Sequence, residues 1–305
     1  MPRYFMKAVL CVIILAGLPA LAHAQLPNTC DFDGDGKTDP VIFRGGTWWI
    51  NRSTAGIMVV DWGLTADTKL CGDYDKDGKS DVTVWRGGAP GEAGFWVLQS
   101  SNGAAVFEPF GQTGDDARVV GDYNGDLRDD FAVHRPGTAL APQSFLFYRT
   151  ASGGAVSYVP WGLFGDVSAP LDYDGDGRLD PMVHRGSEIW VRQSSNGATV
   201  LLNFGLGTDL LVPGKWDADL TEDIGIFRNG TWWIRGTTTG SVSVRPFGFA
   251  TDMVTQGDWD ADGKTDLAIW RPNTGQYWVN RSTAGLAVFP WGTLGDYPVG
   301  NWRVK

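Results

Sequence analysis

Glutamate, histidine and cysteine are scarce in this chain, basic residues form no cluster, and the one long apolar run lies at the very start. Of 35 acidic residues only Glu92, Glu108, Glu188 and Glu222 are glutamate, the rest aspartate. Aspartate belongs in turns and ion-binding loops whereas glutamate favours helices, so helical content should be low. A formal charge of −10 without a basic patch excludes the phosphate neutralisation on which nucleic-acid binding depends. With three histidines and no Ser-His-Asp pattern, nucleophile elbow or Cys-His arrangement, nucleophilic catalysis finds no support. What the chain has in quantity is 42 Gly and 15 Trp, the composition of a turn-rich, aromatic, all-β protein.

The apolar run belongs to a secretory signal. Arg3 and Lys7 form a basic start, Ala8 to Ala22 is apolar, and Ala22-His23-Ala24 is a small-residue cleavage site. Residues 1–24 are therefore expected to be removed on export, and the run is too short to span a membrane. Loss of Arg3 and Lys7 takes the formal charge from −10 to −10 − 2 = −12. An exported protein sits in an oxidising compartment, where Cys30 and Cys71 form an even pair. A Cys30–Cys71 disulfide tying successive repeats is the expectation, and two buried thiols the alternative.

The rest of the chain repeats. A loop beginning Asp31-Phe32-Asp33-Gly34-Asp35-Gly36-Lys37-Thr38-Asp39 returns at Asp73, Asp122, Asp172, Lys215 and Asp258. Five residues past the last acid of each loop stands an arginine: Arg44, Arg86, Arg135, Arg185, Arg228 and Arg271. A second strand centred on Trp49, Trp96, Leu146, Trp190, Trp233 or Trp278 is followed seven residues later by a hairpin Gly. A third strand ends in an aromatic-Gly pair such as Trp62-Gly63, with an Asp four residues on: Asp67, Asp115, Asp166, Asp209, Asp252 and Asp296. A fourth, such as Arg118–Gly121, leads into the next loop. A repeat of about 40–50 residues suits one four-stranded blade, so six copies predict a six-bladed β-propeller. The repeats run over about 26–70, 71–120, 121–170, 171–213, 214–256 and 257–299, and residues 25–305 form one domain. The segment from Asp296 to Trp302 is expected to pair with the first blade and close the ring. Seven blades, with one shared between the termini, is the alternative that the copy count disfavours.

With their D-x-D-G-D-G-x-x-D loops and interspersed Phe-Gly, Trp-Gly and Gly-Asp pairs, residues 26–302 resemble FG-GAP/VCBS repeats. These repeats build the integrin α-subunit propeller and many secreted bacterial proteins. The resemblance implies a Ca2+-binding β-propeller with its loops on one rim, each joining two strands of a blade.

The loops carry the ligand chemistry on their own account. Ca2+ takes about six to eight oxygens, and carboxylates at positions 1, 3, 5 and 9 plus the position-7 carbonyl supply most of them. Four loops are complete: Asp31, Asp33, Asp35, Lys37 and Asp39; Asp73, Asp75, Asp77, Lys79 and Asp81; Asp172, Asp174, Asp176, Arg178 and Asp180; Asp258, Asp260, Asp262, Lys264 and Asp266. The third keeps Asp122, Asn124, Asp126, Arg128 and Asp130, but Leu127 replaces the position-6 Gly, so weaker binding is expected. The fifth opens with Lys215 beside Asp217, Asp219 and Asp223, and a built-in ammonium there can stand in for the ion. Four or five Ca2+ ions are therefore expected. An EF-hand is excluded, since position 12 is Ile42, Val84 or Val183 where a bidentate acid is required.

The six arginines suit pairing with the repeat aspartates such as Asp67 or Asp115; a ring of cations for an acidic ligand is the alternative. His134 and His184 fall where Phe or Trp stands in other copies. The tryptophans suit a core, although Trp48-Trp49 and Trp232-Trp233 put neighbouring rings on opposite faces of a strand, leaving one of each free for a sugar. Departures from the repeat are confined to the insertions 87–94 and 136–144, the expected partner surface. The chain therefore reads as a secreted, monomeric, non-catalytic recognition or adhesion module for an extracellular protein or glycan. The alternatives are a multivalent lectin and a polysaccharide lyase or hydrolase using Glu92, Glu108 or Glu188.

Overall fold

The computed structural model describes residues 30–300; the signal segment and the last residues of the closing segment lie outside it. The described residues form strands and turns without a helix, arranged in six small antiparallel sheets. The fold is a six-bladed β-propeller.

In each blade the Asp loop joins the first strand to the second, as in Thr68–Gly72 and Asp81–Arg86, with Gly94–Leu98 and Ala105–Pro109 completing blade 2. The second strand is apolar on both faces and buried: Val82, Val84 and Trp85 are at most 6% exposed. Such a strand lies between neighbouring blades rather than facing water. The fourth strand alternates towards solvent, as in Gly56–Asp61, which places it at the rim.

Ring closure follows the expected pattern. Tyr297–Pro298 pairs with Val41–Arg44, matching Ile42 to Pro298 and Phe43 to Tyr297, so blade 1 takes its first strand from the far end of the chain. Cys30 and Cys71 are disulfide-bonded with Cα atoms 5.2 Å apart, tying the start of loop 1 to the first strand of blade 2.

Blade 3 departs from expectation. Arg118–Gly121 is not a strand, and the sheet has three strands, Phe131–Arg135, Gln143–Arg149 and Ser157–Leu163. The Arg118 amide and Nε both donate to Asp116 Oδ1, at 3.1 and 2.9 Å, a local bond that competes with a ladder. Only the Asp116–His134 and Gly121–Asp130 bridges remain of the blade's first strand, the one that precedes the loop.

The arginines are structural. Each forks onto the aspartate of the preceding connection (Arg44–Asp296, Arg86–Asp67, Arg135–Asp115, Arg185–Asp166, Arg228–Asp209 and Arg271–Asp252) through two bonds of 2.5–3.1 Å. Each guanidinium also lies over a ring of its own blade, as Arg86 does over Trp96 at 5.6 Å. Of the tryptophan doublets, Trp48 and Trp232 are fully buried, while Trp49 and Trp233 are half-buried beneath Arg44 and Arg228. The insertions join second to third strands and so emerge at the end of the blades opposite the Asp loops.

Candidate metal centres

The backbone gathers each loop around its first aspartate. In loop 1 the amides of Gly34 and Gly36 donate to Asp31 at 2.7 and 2.8 Å, and Asp39 accepts from Phe32 at 2.8 Å. Gly34 and Gly36 hold φ of 79° and 85°, a region side chains avoid. Loop 3 places Leu127 at the second of these positions with φ 65°, so its turn is strained where the complete loops have glycine.

Four clusters result, and each can hold a metal ion. Carboxylate oxygens of Asp31, Asp33 and Asp39; of Asp73, Asp75 and Asp81; of Asp172, Asp174 and Asp180; and of Asp258, Asp260 and Asp262 lie within 4.8 Å of one another in each set. In loops 1, 2 and 4 the gathered acids are those of positions 1, 3 and 9, and in loop 6 those of positions 1, 3 and 5. The position-5 acids Asp35, Asp77, Asp176 and Asp262 all accept the position-7 amides of Lys37, Lys79, Arg178 and Lys264 at 2.9–3.0 Å.

One further feature marks these loops. The Oδ1 atoms of Asp33, Asp75, Asp174 and Asp260 are buried and have no hydrogen-bond partner, one such oxygen in each gathered cluster. The other oxygen of each is occupied by the hairpin between third and fourth strands: Thr54 Oγ1 to Asp33, Ser101 to Asp75, Ser195 to Asp174 and Thr283 to Asp260, at 2.6–2.7 Å. A buried unpaired carboxylate oxygen is costly unless a cation meets it. The donor set, all hard oxygen, suits Ca2+.

The remaining loops satisfy themselves. In loop 3, Asn124 Nδ2 donates to Asp130 at 3.4 Å, and Ala151 supplies an amide but no hydroxyl. In loop 5, Asp219 accepts from Thr221 and Thr238, and Asp217 from the Asp219 amide. The charge of Lys215 acts on Asp172 and Glu222, so the ammonium faces the junction with loop 4.

Burial pushes the position-9 carboxyls far up: Asp39, Asp81, Asp130 and Asp266 to about 7, Asp180 and Asp223 to about 6. Asp129 reaches about 8 and Glu222 about 7 by the same desolvation. These two acids, at position 8 of loops 3 and 5, accept the amides of Asp73 and Asp172 at 2.8 Å.

Position 8 also links loop to loop. The amides of Ser80, Asp129, Leu179, Glu222, Thr265 and Thr38 donate to the carbonyls of Asp31, Asp73, Asp122, Asp172, Lys215 and Asp258 at 2.6–2.9 Å. Every blade border carries one such bond, including the border that closes the ring.

The acids weighed for catalysis are spent or apart. Glu108 forms an ion pair with Arg149 of the next blade, Glu188 accepts from Trp190 Nε1 at 3.1 Å, and Glu92 is exposed in its insertion. His184 is 3% exposed, and burial lowers its pKa. His134, equally buried, pairs backbone to backbone with Asp116.

No family model matches the chain. No curated protein matches it in sequence. Among solved structures it is similar to an Agrocybe aegerita lectin described as recognising non-reducing terminal N-acetylglucosamine, with 16% identity and a TM-score of 0.54 over 85% of this chain and 77% of that one. It is also similar to a streptogramin B lyase, at 12% identity and a TM-score of 0.52 over 86% and 83% of the two chains. What they share with it is the propeller. At such identities the likeness concerns the fold, and folds host unrelated functions.

Proposed function

We propose that this chain is an exported, Ca2+-stabilised propeller of the FG-GAP/VCBS kind that recognises an extracellular glycan without transforming it. The observation that carries the reading is how the polar side chains are spent. Six arginines are locked onto six aspartates, Glu108 is ion-paired with Arg149, and Glu188 accepts from Trp190. Of the five buried carboxylate oxygens without a hydrogen-bond partner among the described residues, four lie in the gathered Asp loops and the fifth is Glu108 Oε1. Such a molecule offers a metal-braced scaffold rather than an acid–base pair. Asp31, Asp33 and Asp39, with their counterparts in loops 2, 4 and 6, would hold the ions, whose role is to let the fold bury clustered carboxylates. The lectin among its structural neighbours makes a glycan the ligand to test first. A glycan array probed with the Ca2+-loaded protein, and again after demetallation, tests this. Calcium-dependent binding without cleavage of the bound glycan is expected; a blank array or turnover of a bound glycan overturns it.

A further inference from the structure

Blades 1 and 6 carry the same turn, Asn51-Arg52-Ser53-Thr54-Ala55-Gly56 and Asn280-Arg281-Ser282-Thr283-Ala284-Gly285, and no other blade repeats it. Each turn walls a cleft against the preceding blade. Between blades 6 and 1 a cleft of about 410 Å³ is bounded by Lys37, Asn51 and Arg52 on one side and by Trp259, Arg281 and Phe289 on the other. Between blades 5 and 6, Lys264, Asn280, Arg281 and Trp216, the repeat equivalents of Lys37, Asn51, Arg52 and Trp259, bound a cleft of about 500 Å³ that Arg245, Asp217 and Asp266 also line.

The cleft between blades 6 and 1 has the features of a built site. Arg52 Nε and Nη2 donate to the carbonyls of Gly56 and Ala55 at 3.0 and 2.9 Å, which fixes the guanidinium before any ligand arrives. Arg281 is held identically by Gly285 and Ala284, each at 3.0 Å. Trp259 and Thr38 both line the cleft, are 4% and 8% exposed, and leave Nε1 and Oγ1 without a partner. The equivalent indole of blade 5, Trp216, gives its N–H to the Val212 carbonyl at 3.1 Å. Phe289 stacks on Trp259 with centroids 5.7 Å apart and offers an apolar wall. Lys37, Arg52 and Arg281 bring three cations to the cleft; Asp260 lines it with them, its Oδ2 taken by Thr283 and Ala284, and Lys37 Nζ lies 3.6 Å from Asp35. In a chain of formal charge −10 this is a local excess of positive charge.

We propose that this cleft binds a sugar residue that carries an anionic group. The anion meets Arg52 and Lys37, the ring face lies on Phe289, and ring oxygens meet Asn51. The proposal rests on the glycan-recognition reading and narrows it to acidic glycans.

Calorimetric titration of the Ca2+-loaded protein with tetragalacturonate, its methyl ester and a sulfated heparin tetrasaccharide tests it. At least one acidic probe is expected to bind, the ester is not, and the probe that binds assigns carboxylate or sulfate. Arg52→Gln weakens binding in this cleft about tenfold. Because Arg52 also braces its own turn, Lys37→Met serves as the second variant: it keeps the stem of a half-exposed side chain, removes its charge, and lowers affinity several-fold with an unchanged melting temperature. Equal binding of acid and ester, or acid binding unmoved by both variants, overturns the cleft and leaves glycan recognition standing. Failure of every probe here and of every glycan on the array overturns both.

Discussion

Thr54 shows how much of a metal centre lies outside its ligands. Its amide and hydroxyl both hold Asp33 Oδ2 at 2.7 Å, leaving Oδ1 turned away, buried and unpaired. Removing the hydroxyl in Thr54→Ala should weaken calcium binding at loop 1 by at least about tenfold, the usual cost of losing a group that orients a ligand. A calcium titration against the parent protein measures this, and an unchanged affinity would contradict the arrangement. The ligands themselves were legible in sequence because they alternate within one short stretch. The hydroxyls were not, since Thr54 reaches Asp33 from 21 residues away and a Ser/Thr pair before a hairpin Gly reads locally as turn chemistry. The signal was nevertheless present: such pairs precede the hairpin Gly in five blades, and Ala151-Ser152 stands there in blade 3. A second consequence at this scale concerns pH. Asp39, Asp81 and Asp266 carry folded pKa values of about 7 and Asp180 about 6, above the ordinary 3.8. In the demetallated protein the fold favours their neutral forms. That contribution to stability is fully present below the ordinary carboxylate range and is lost as pH rises through 6 to 7. Melting temperatures of demetallated protein should therefore fall between about pH 5 and 8, and calcium should restore most at the upper end. Parallel melting curves with and without calcium across that range would sink the assignment.

Among elements, the connection between blades repays the closest look. The Asp252 carboxylate has no side-chain exposure and that of Arg271 only 19%, and the two meet through paired bonds of 2.9 and 3.1 Å. Asp252 Oδ2 also caps the connection by accepting the Phe249 amide at 2.9 Å. Arg271→Ala leaves that carboxylate buried with half its partners and should cost about 2 kcal/mol in chemical denaturation. Arg271→Lys should recover little, because a point charge cannot serve two oxygens at once; full rescue by lysine would show that charge alone matters. Pairing was readable from the strict spacing of Arg and Asp. The shortness of the first strands was not: Val167–Ser168, Leu210–Leu211 and Met253–Val254 have two residues each, and blade 3 has none. In blade 3 the competing bond is local, from Arg118 to Asp116, and apolar patterning carries no trace of it.

For the molecule as a whole, the copy count, the closing segment at Tyr297–Pro298 and the Cys30–Cys71 bond could all be anticipated, because each depends on repetition or pairing alone. The cleft between blades 6 and 1 could not, since it arises only when two repeats distant in sequence, at Thr38 and Trp259, become neighbours. The loop-to-loop bonds have the same origin and a thermodynamic consequence. A linear array of repeats melts from its ends, where a unit has one neighbour and opens cheaply. Here the Thr38 amide on the Asp258 carbonyl completes the circuit, so every blade has two neighbours and no unit is terminal. Opening any one blade first sacrifices bonds at two borders, and the six repeats are left with no edge from which to fray.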